Sequence, residues 1–153
     1  MPASKVKAFL DEHGVKYLTL RHSPAYTAQE IAASAHVPGK EMAKTVMVKL
    51  DGRMAMAVLP ASYRVDFGTL ATASGCDKAE LASEAEFRDL FPECELGAMP
   101  PFGNLYDMEV FTAKRLAEDE EIAFNAGTHR ELIRMRYEDF ARLVRPRVVT
   151  FAL

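Results

Sequence analysis

The dipeptide Asp51-Gly52 joins two apolar segments, Ala43–Leu50 and residues 53–59, that favour β-strands. Asp-Gly is typical of the type I′ turn, because both central residues of that turn have positive φ angles. The two segments therefore predict an antiparallel β-hairpin. Hairpin signals outnumber β-α-β signals along the rest of the chain, and the helical segments are short. We expect an α+β fold with a mainly antiparallel sheet or barrel.

Capping residues, turn residues and hydrophobic spacing predict the other elements. The predicted helices run from the Ser4 cap to Gly14, from the Thr27 capping box to about Ala35, over residues 66–74, from the Ser83 capping box to about Phe91, and over Tyr137–Val144. The predicted strands outside the hairpin are Tyr17–Arg21, 106–111, Glu121–Asn125, 132–136 and 148–151. Residues 92–103, which are rich in glycine and proline, are predicted to form a loop.

The length of 153 residues suits one domain over residues 1–153, with no need for disulfides or metal to stabilise a core. The two cysteines, Cys76 and Cys94, lack zinc-site spacing and suit a reducing compartment. No apolar signal segment follows Met1, and no apolar stretch approaches the ~20 residues that span a bilayer. We expect a cytoplasmic protein without a membrane partner. The oligomeric state is not determined by the sequence, and a monomer is the simpler expectation.

Charge is distributed unevenly along the chain. The formal net charge is −3, but residues 128–153 hold six arginines against Glu131, Glu138 and Asp139. Such a basic part on an acidic protein suggests a local surface for polyanions. The simpler interpretation is a solvated surface beside acidic groups. The net charge argues against a protein that coats DNA constitutively.

Lys44 is the most unusual residue of the predicted hairpin. Side chains alternate between the two faces of a strand, so Lys44 shares its face with Val46, Val48 and Leu50. If that aliphatic row points inward, a lysine at its start is costly unless it pairs or meets an anionic ligand. The alternative is a strand-end lysine whose ammonium reaches water. Met47, on the opposite face, is expected to belong to the core.

A second candidate is the segment Gly97-Ala-Met-Pro-Pro-Phe-Gly103. Its glycines allow positive φ angles and the close approach of a ligand to the backbone. Pro100 and Pro101 fix φ and lack N–H groups, so the few remaining amides can be held rigidly. Such a loop can bind a carbonyl oxygen or an oxyanion. The alternative is an ordinary connection between a helix and a strand.

A third candidate is Asn125-Ala-Gly-Thr-His129, which lies between two predicted strands and has favourable turn residues. His129 could be a general base, a substrate contact or a pocket wall, although a turn histidine is commonly only a polar surface residue. The other histidines have no partner at metal-ligand spacing, so we expect no metal site. They are His13, His22 and His36.

Motifs for common cofactors and nucleophiles are absent from the sequence. It contains neither GxGxxG nor GxxxxGK[ST], and neither HExxH nor GxSxG. There is thus no sequence basis for a dinucleotide or nucleoside triphosphate site. We expect no cofactor.

Taken together and in this order, four segments resemble a known family. They are His22-Ser-Pro with Thr27-Ala-Gln-Glu30, residues 43–49, residues 97–103 and residues 125–129. On these residues the sequence resembles the YbaK / prolyl-tRNA-synthetase-associated domain family, the free-standing relatives of the prolyl-tRNA synthetase editing domain. The resemblance extends over nearly the whole chain. It implies a compact α+β domain with a mixed, barrel-like sheet flanked by short helices.

The resemblance also implies an activity, the hydrolysis of the ester that joins a wrong amino acid to the 3′ end of a tRNA, typically tRNA(Pro). Lys44 matches a lysine required for activity, and Gly97 begins the GxxxP loop whose backbone faces the scissile carbonyl, so both are predicted to be catalytic. The predicted substrate-binding residues are Thr45, Ala98, Met99, Pro101, Asn125, Gly127, Thr128 and His129. Mischarged tRNA is the expected transient partner, with Arg134 and Arg142 as candidate contacts. An aminoacyl-tRNA synthetase is a second candidate partner.

Two positions distinguish branches of that family. A histidine such as His129 lines the amino-acid pocket in branches that resemble the synthetase's own inserted domain or the Ala-tRNA(Pro) deacylases. Thr45 stands where we associate asparagine with the latter branch, so the match to alanine specificity is incomplete. Two other classes of function stay open: a non-catalytic tRNA- or synthetase-binding module of the same fold, and a small-molecule hydrolase or ligand binder. The joint presence of Lys44 and Gly97 favours the enzyme over the module.

Overall fold

The hairpin predicted from Asp51-Gly52 lies within the larger of two sheets in the computed structural model, which describes residues 4–21 and 38–153. The α-helices of these residues are α1 (Ser4–Glu12), α2 (Phe67–Ser74), α3 (Glu84–Phe87), α4 (Lys114–Ala117) and α5 (Tyr137–Val144). The strands are β1 (Tyr17–Arg21), β2 (Ala43–Leu50), β3 (Arg53–Pro60), β4 (Ala79–Leu81), β5 (Glu109–Ala113), β6 (Glu121–Asn125), β7 (Glu131–Arg136) and β8 (Arg147–Val149). Short 3₁₀ helices cover Gly39–Glu41, Arg88–Leu90 and Gly103–Leu105.

The hairpin forms as predicted. Strands β2 and β3 pair antiparallel from Ala43 opposite Pro60 to Leu50 opposite Arg53. Both turn residues have positive φ, 52° at Asp51 and 84° at Gly52, as a type I′ turn requires. The Asp51 carboxylate also accepts hydrogen bonds from the N–H groups of Asp77 and Lys78, which directly precede β4, and these bonds lower its pKa. The turn thereby fixes the approach to β4.

The strands form a three-stranded sheet, in the order β1-β7-β6, and a five-stranded sheet, in the order β4-β2-β3-β5-β8. The smaller sheet is antiparallel throughout, whereas β5 pairs parallel with both β3 and β8 in the larger one. The predicted α+β class with a mixed, mainly antiparallel arrangement is confirmed. The expected barrel is not closed, because the described strands divide between two sheets.

Burial on both faces of the hairpin explains this layered arrangement. Met47, Met56 and Val58 face the main core, which includes residues of the smaller sheet, and the expectation that Met47 is core is confirmed by its 3% exposure. The opposite face meets a second cluster. That cluster contains Val48, Leu50, Ala55, Ala57, Leu59, Leu70, Phe111, Ala113 and Phe151. The hairpin is therefore a layer between two apolar clusters.

Several element boundaries differ from prediction. The strand predicted over 106–111 begins at Glu109 instead, because Asp107, with a φ of 55°, turns the chain after a 3₁₀ helix. The helix predicted from Ser83 to Phe91 ends at Phe87 and continues as 3₁₀ helix. β8 ends at Val149, two residues before the predicted end.

Two elements, β4 and α4, were not predicted, because three or four residues carry too little periodicity to be detected. The predicted helix over 27–35 and the His22-Ser-Pro segment lie outside the described residues.

Gly103 provides a test of packing in the segment that leads into β5. A Cβ atom at Gly103 would lie 2.6 Å from both the Met108 carbonyl oxygen and the Val110 Cγ2 atom. We expect Gly103→Ala to lower the free energy of unfolding by about 1–3 kcal/mol, because backbone must move to admit the methyl group. Chemical denaturation measures this. Gly68→Ala is the control, since its Cβ would meet only Asp66 Oδ1 at 3.6 Å. An equal or smaller loss in Gly103→Ala would contradict the expectation.

Candidate active site

Gly97 lies where the loop of residues 92–103 reaches the surface. It is exposed and has a φ of 85°, a conformation that only glycine adopts without strain. Its N–H group donates to no acceptor among the described residues. The prolines that follow, Pro100 and Pro101, are buried and anchor the loop. The arrangement presents a rigid backbone amide that can receive an oxygen of a ligand.

The same loop is bonded to the turn between β6 and β7. The Glu95 N–H group donates to the Gly127 carbonyl at 2.8 Å, and the Gly127 N–H group donates to the Ala98 carbonyl at 2.9 Å. Two of the three predicted site segments are therefore in direct contact, although about thirty residues separate them in sequence. The pairing is a short two-way backbone ladder, which fixes the relative position of the segments.

His129 closes the contact between the loop and the turn. Its backbone N–H group donates to Glu95 Oε1 at 2.7 Å, and its Nε2 atom lies 2.7 Å from the Leu96 carbonyl oxygen. A carbonyl only accepts, so Nε2 carries the proton in this bond. The ring lies beside Gly97, where an added Cβ would be 3.4 Å from His129 Cε1. The imidazole and the exposed glycine therefore form one wall.

The predicted substrate-binding residues differ in where their side chains lie. Ala98, Met99 and Pro101 are buried, and Met99 packs in the main core. These three residues hold the loop in place, and only their backbone can take part in a site on the surface. Thr128 and His129 are half-buried at the turn. The Thr128 hydroxyl accepts a hydrogen bond from the Arg130 N–H group at 3.1 Å, which stabilises the turn.

Lys44 is the second residue of β2 and is half-buried. Burial lowers the pKa of its ammonium, and the positive charge of Arg64 lowers it further. Among the described residues, no carboxylate lies within ion-pair distance of Lys44. Two neighbouring cations without such a partner favour an anionic group of a ligand, because it would offset both the burial and the repulsion.

The start of β2 lies beside β6, the strand that leads into the turn with His129. Met42 forms a parallel bridge with Ala123, so β2 and β6 run side by side at the start of β2. Lys44 and Asn125 each lie two residues further along these two strands. The start of β2, with Lys44, is therefore level with the turn between β6 and β7. Asn125 Oδ1 is buried and accepts no hydrogen bond from the described residues. Strand alternation places Thr45, rather than Lys44, on the Met47 face that meets the main core.

The two candidate tRNA contacts have different surroundings. Arg134 is 26% exposed and pairs with Glu41 at 2.7 Å and with Glu121 at 3.4 Å. Arg142 is 57% exposed, pairs with Asp139 at 3.3 Å, and lines an open cavity of about 510 Å³ with Arg145 and His13. Arg142 is therefore the stronger of the two candidates for a phosphate contact.

Salt dependence of tRNA binding tests these two arginines separately. We expect Arg142→Gln to weaken binding and to make the slope of log K against log salt shallower by about 0.9, since one phosphate contact is lost. Arg134→Gln is the comparison, and it should leave that slope unchanged because its guanidinium is less exposed and is held by two carboxylates, those of Glu41 and Glu121. Binding titrations at four salt concentrations measure both. An unchanged slope in Arg142→Gln would identify that arginine as part of a solvated surface.

Sequence reasoning did not identify Glu95, whose carboxylate joins the loop to the turn. Its only sequence signal is its place two residues before Gly97. Acidic residues near loops are common, so this position alone did not distinguish it. The bond became visible only when the fold placed the two segments together.

Comparison with known proteins agrees with this geometry. The family model of the aminoacyl-tRNA editing domain matches residues 22–143. The chain belongs to the aminoacyl-tRNA editing domain family. The matched region includes all the candidate residues on both loops and on β2, and the resemblance inferred from the sequence is confirmed.

Relatives of this editing domain cover nearly its whole length. The multifunctional Ser/Thr-tRNA deacylase ProXp-y of Escherichia coli (strain K12) is 28% identical over 149 residues, which are 94% of this chain and 89% of that protein. The prolyl-tRNA editing protein ProX of Acetoanaerobium sticklandii is 27% identical over 152 residues, 95% of this chain and 92% of that protein. A crystal structure assigned provisionally as a trans-editing enzyme for prolyl-tRNA synthetase superposes with a TM-score of 0.84 at 21% identity, covering 99% of this chain and 97% of the other. That last likeness shows a shared fold.

Two further observations concern the described part of this editing domain. Across residues 4–21 and 38–153, no helix is both long enough and apolar enough to cross a bilayer. Within the same ranges, no three His, Cys, Asp or Glu side chains cluster as a metal site would require.

Proposed function

We propose that this protein is an aminoacyl-tRNA deacylase that acts in trans on tRNA(Pro) carrying a small wrong amino acid, such as alanine or serine. The observation that carries the proposal is the wall formed by Gly97 and His129, in which an exposed amide lies beside an imidazole. Membership of the editing family and the names of the two relatives support the same activity.

The proposed reaction is hydrolysis of an ester. The oxygen of a water molecule attacks the carbonyl carbon, and the bond between that carbon and the ribose oxygen breaks. One proton of the water goes to the ribose oxygen, so the products are a free amino acid and an uncharged tRNA. An aminoacyl ester is already activated, so the enzyme must mainly place the water and stabilise the oxyanion.

Named groups fit these two tasks. The Gly97 N–H group can donate to the oxyanion, a contribution of about 2.7–4 kcal/mol for one such donor in other enzymes. Lys44, beside Arg64, can bind the phosphate next to the terminal adenosine. A neighbouring hydroxyl of the substrate ribose can position the water, so no side-chain base is required.

A deacylation panel tests the proposal. We would measure kcat/KM for tRNA(Pro) charged with Ala, Ser, Cys, Thr or Pro, and for Ser- and Thr-charged cognate tRNAs. We expect rapid release of a small amino acid from tRNA(Pro) and little release of proline. If the cognate Ser- and Thr-tRNAs are better substrates, tRNA(Pro) is not the preferred tRNA. Binding without any deacylation would instead support a non-catalytic module.

His129 is expected to affect which amino acid is removed more than how fast the best one is removed. Its ring forms a wall of the site and already donates from Nε2 to Leu96, so it is placed as a boundary. His129→Ala should change the ratio of kcat/KM values for Ala-, Ser- and Pro-charged tRNA, because loss of the ring enlarges the site by more than one methylene, and even one methylene is worth about 1–3 kcal/mol of discrimination. A uniform fall with unchanged ratios would indicate a role in general catalysis.

A further inference from the structure

We propose that Glu95 is a positioning residue whose carboxylate holds the His129 turn against the Gly97 loop and so sets discrimination between amino acids. This inference rests on the proposed deacylase function, because discrimination is defined only for a substrate. It adds a residue that the sequence did not single out.

Glu95 contacts the turn through both its backbone and its side chain. Its backbone N–H group donates to the Gly127 carbonyl at 2.8 Å, and its carboxylate accepts from the His129 N–H group at 2.7 Å. One residue of the loop therefore contacts both ends of a three-residue turn. A bond to an ionised acceptor is stronger than one between neutral groups, so the second contact is the stronger restraint.

The His129 imidazole is held by Leu96, the residue that follows Glu95. The Leu96 carbonyl accepts from His129 Nε2 at 2.7 Å, which fixes both the ring orientation and the position of its proton. The ring then lies against Gly97, and a Cβ atom added to Gly97 would be in van der Waals contact with it. Since Glu95 anchors the backbone of His129, the gap between ring and glycine depends on Glu95.

The charge of Glu95 supports a restraining role over a solubilising one. Its side chain is exposed on the loop that would face a polyanionic tRNA, where a negative charge reduces affinity. At this position the Glu95 carboxylate contributes by accepting the hydrogen bond from the His129 N–H group. A neutral acceptor at the same position should keep that bond, and a methyl group should not.

Three variants separate the bond from the charge. Glu95→Ala removes both the charge and the hydrogen-bond acceptor, and Glu95→Gln removes only the charge. Glu93→Gln is the control for charge: Glu93 lies on the same loop, but its carboxylate accepts from the Tyr106 hydroxyl and not from the turn. The readout is the ratio of kcat/KM for the best and second-best aminoacyl-tRNA. We expect Glu95→Ala to reduce this ratio about tenfold, the value of one hydrogen bond. Glu93→Gln should retain the wild-type ratio. Glu95→Gln should lie between wild type and Glu95→Ala, because its bond to the His129 N–H group is kept but has a neutral acceptor.

A second readout does not depend on activity. In nitrogen-15 NMR spectra, the His129 Nε2–H proton should exchange with water faster in Glu95→Ala than in wild type, while thermal melts show that the variant is folded. An unchanged exchange rate, or an unchanged ratio in Glu95→Ala, would overturn the positioning role. If wild type cleaves no aminoacyl-tRNA, the proposed function fails, and the exchange rate still tests whether Glu95 holds the ring.

Discussion

Lys44→Ala is expected to lower kcat/KM for the best aminoacyl-tRNA by about 100-fold or more without unfolding the protein. The lysine is half-buried beside Arg64, so its ammonium is poorly solvated and available to an anionic group of the substrate. Removal of one oxyanion-hole donor costs about 10²–10³-fold in rate in other enzymes, and we expect a loss of similar size for this cation. Initial deacylation rates, measured alongside a thermal melt, provide the test.

Lys49→Ala is the matched control for Lys44. Lys49 lies on the same strand but on the other face, where its ammonium pairs with Glu86 and its pKa is raised by that hydrogen bond. We expect Lys49→Ala to retain activity. Lys44→Arg should recover part of the rate if the charge alone matters. A folded Lys44→Ala variant with wild-type rates would remove Lys44 from the active site.

Gly97→Val is expected to lower activity by about 100-fold and to lower stability modestly. The residue has a φ of 85°, where a side chain costs about 1–2 kcal/mol, and its Cβ would be in van der Waals contact with the His129 ring at 3.4 Å. Displacement of the amide or the ring by about 1 Å is enough for a rate loss of this size. Steady-state kinetics and chemical denaturation measure the two effects.

Gly75→Val separates backbone strain from the site. Gly75 ends α2 with a φ of 77°, and a Cβ there would meet nothing within 4 Å. We expect Gly75→Val to lose a similar amount of stability and to keep its activity. Retained turnover in Gly97→Val would show that the loop of residues 92–103 only connects two elements.

Local sequence predicted the elements whose cause is local. The Asp51-Gly52 turn requires two positive φ angles, and these two residues tolerate them, so the hairpin could be read from the sequence with its register. Helix α5 likewise followed from the spacing of Phe140 and Val144 on one side. The fold class followed from the balance of hairpin and helix signals.

The start of β5 was misplaced because a tight turn precedes it. The apolar residues of 106–111 fit a strand, but the chain first turns at Asp107 and brings Gly103 close to Met108. Backbone hydrogen bonds from Tyr106 and Met108 to the Gly103 carbonyl close this turn, and the apolar residues within it concealed it in the sequence pattern. The very short elements β4 and α4 escaped prediction because three or four residues carry too little periodicity to be detected.

The chemical groups of the site could be predicted from the sequence: a lysine at the head of an apolar strand, a glycine loop stiffened by prolines, and a histidine in a turn. Which of these groups meet depends on the three-dimensional fold. It bonded Glu95 to the turn that carries His129 and placed the ring against Gly97. It also paired Arg134 with Glu41 and left Arg142 more exposed. The physical reason is that hydrogen bonds and ion pairs act over a few ångströms of space, and separation along the chain does not reveal them.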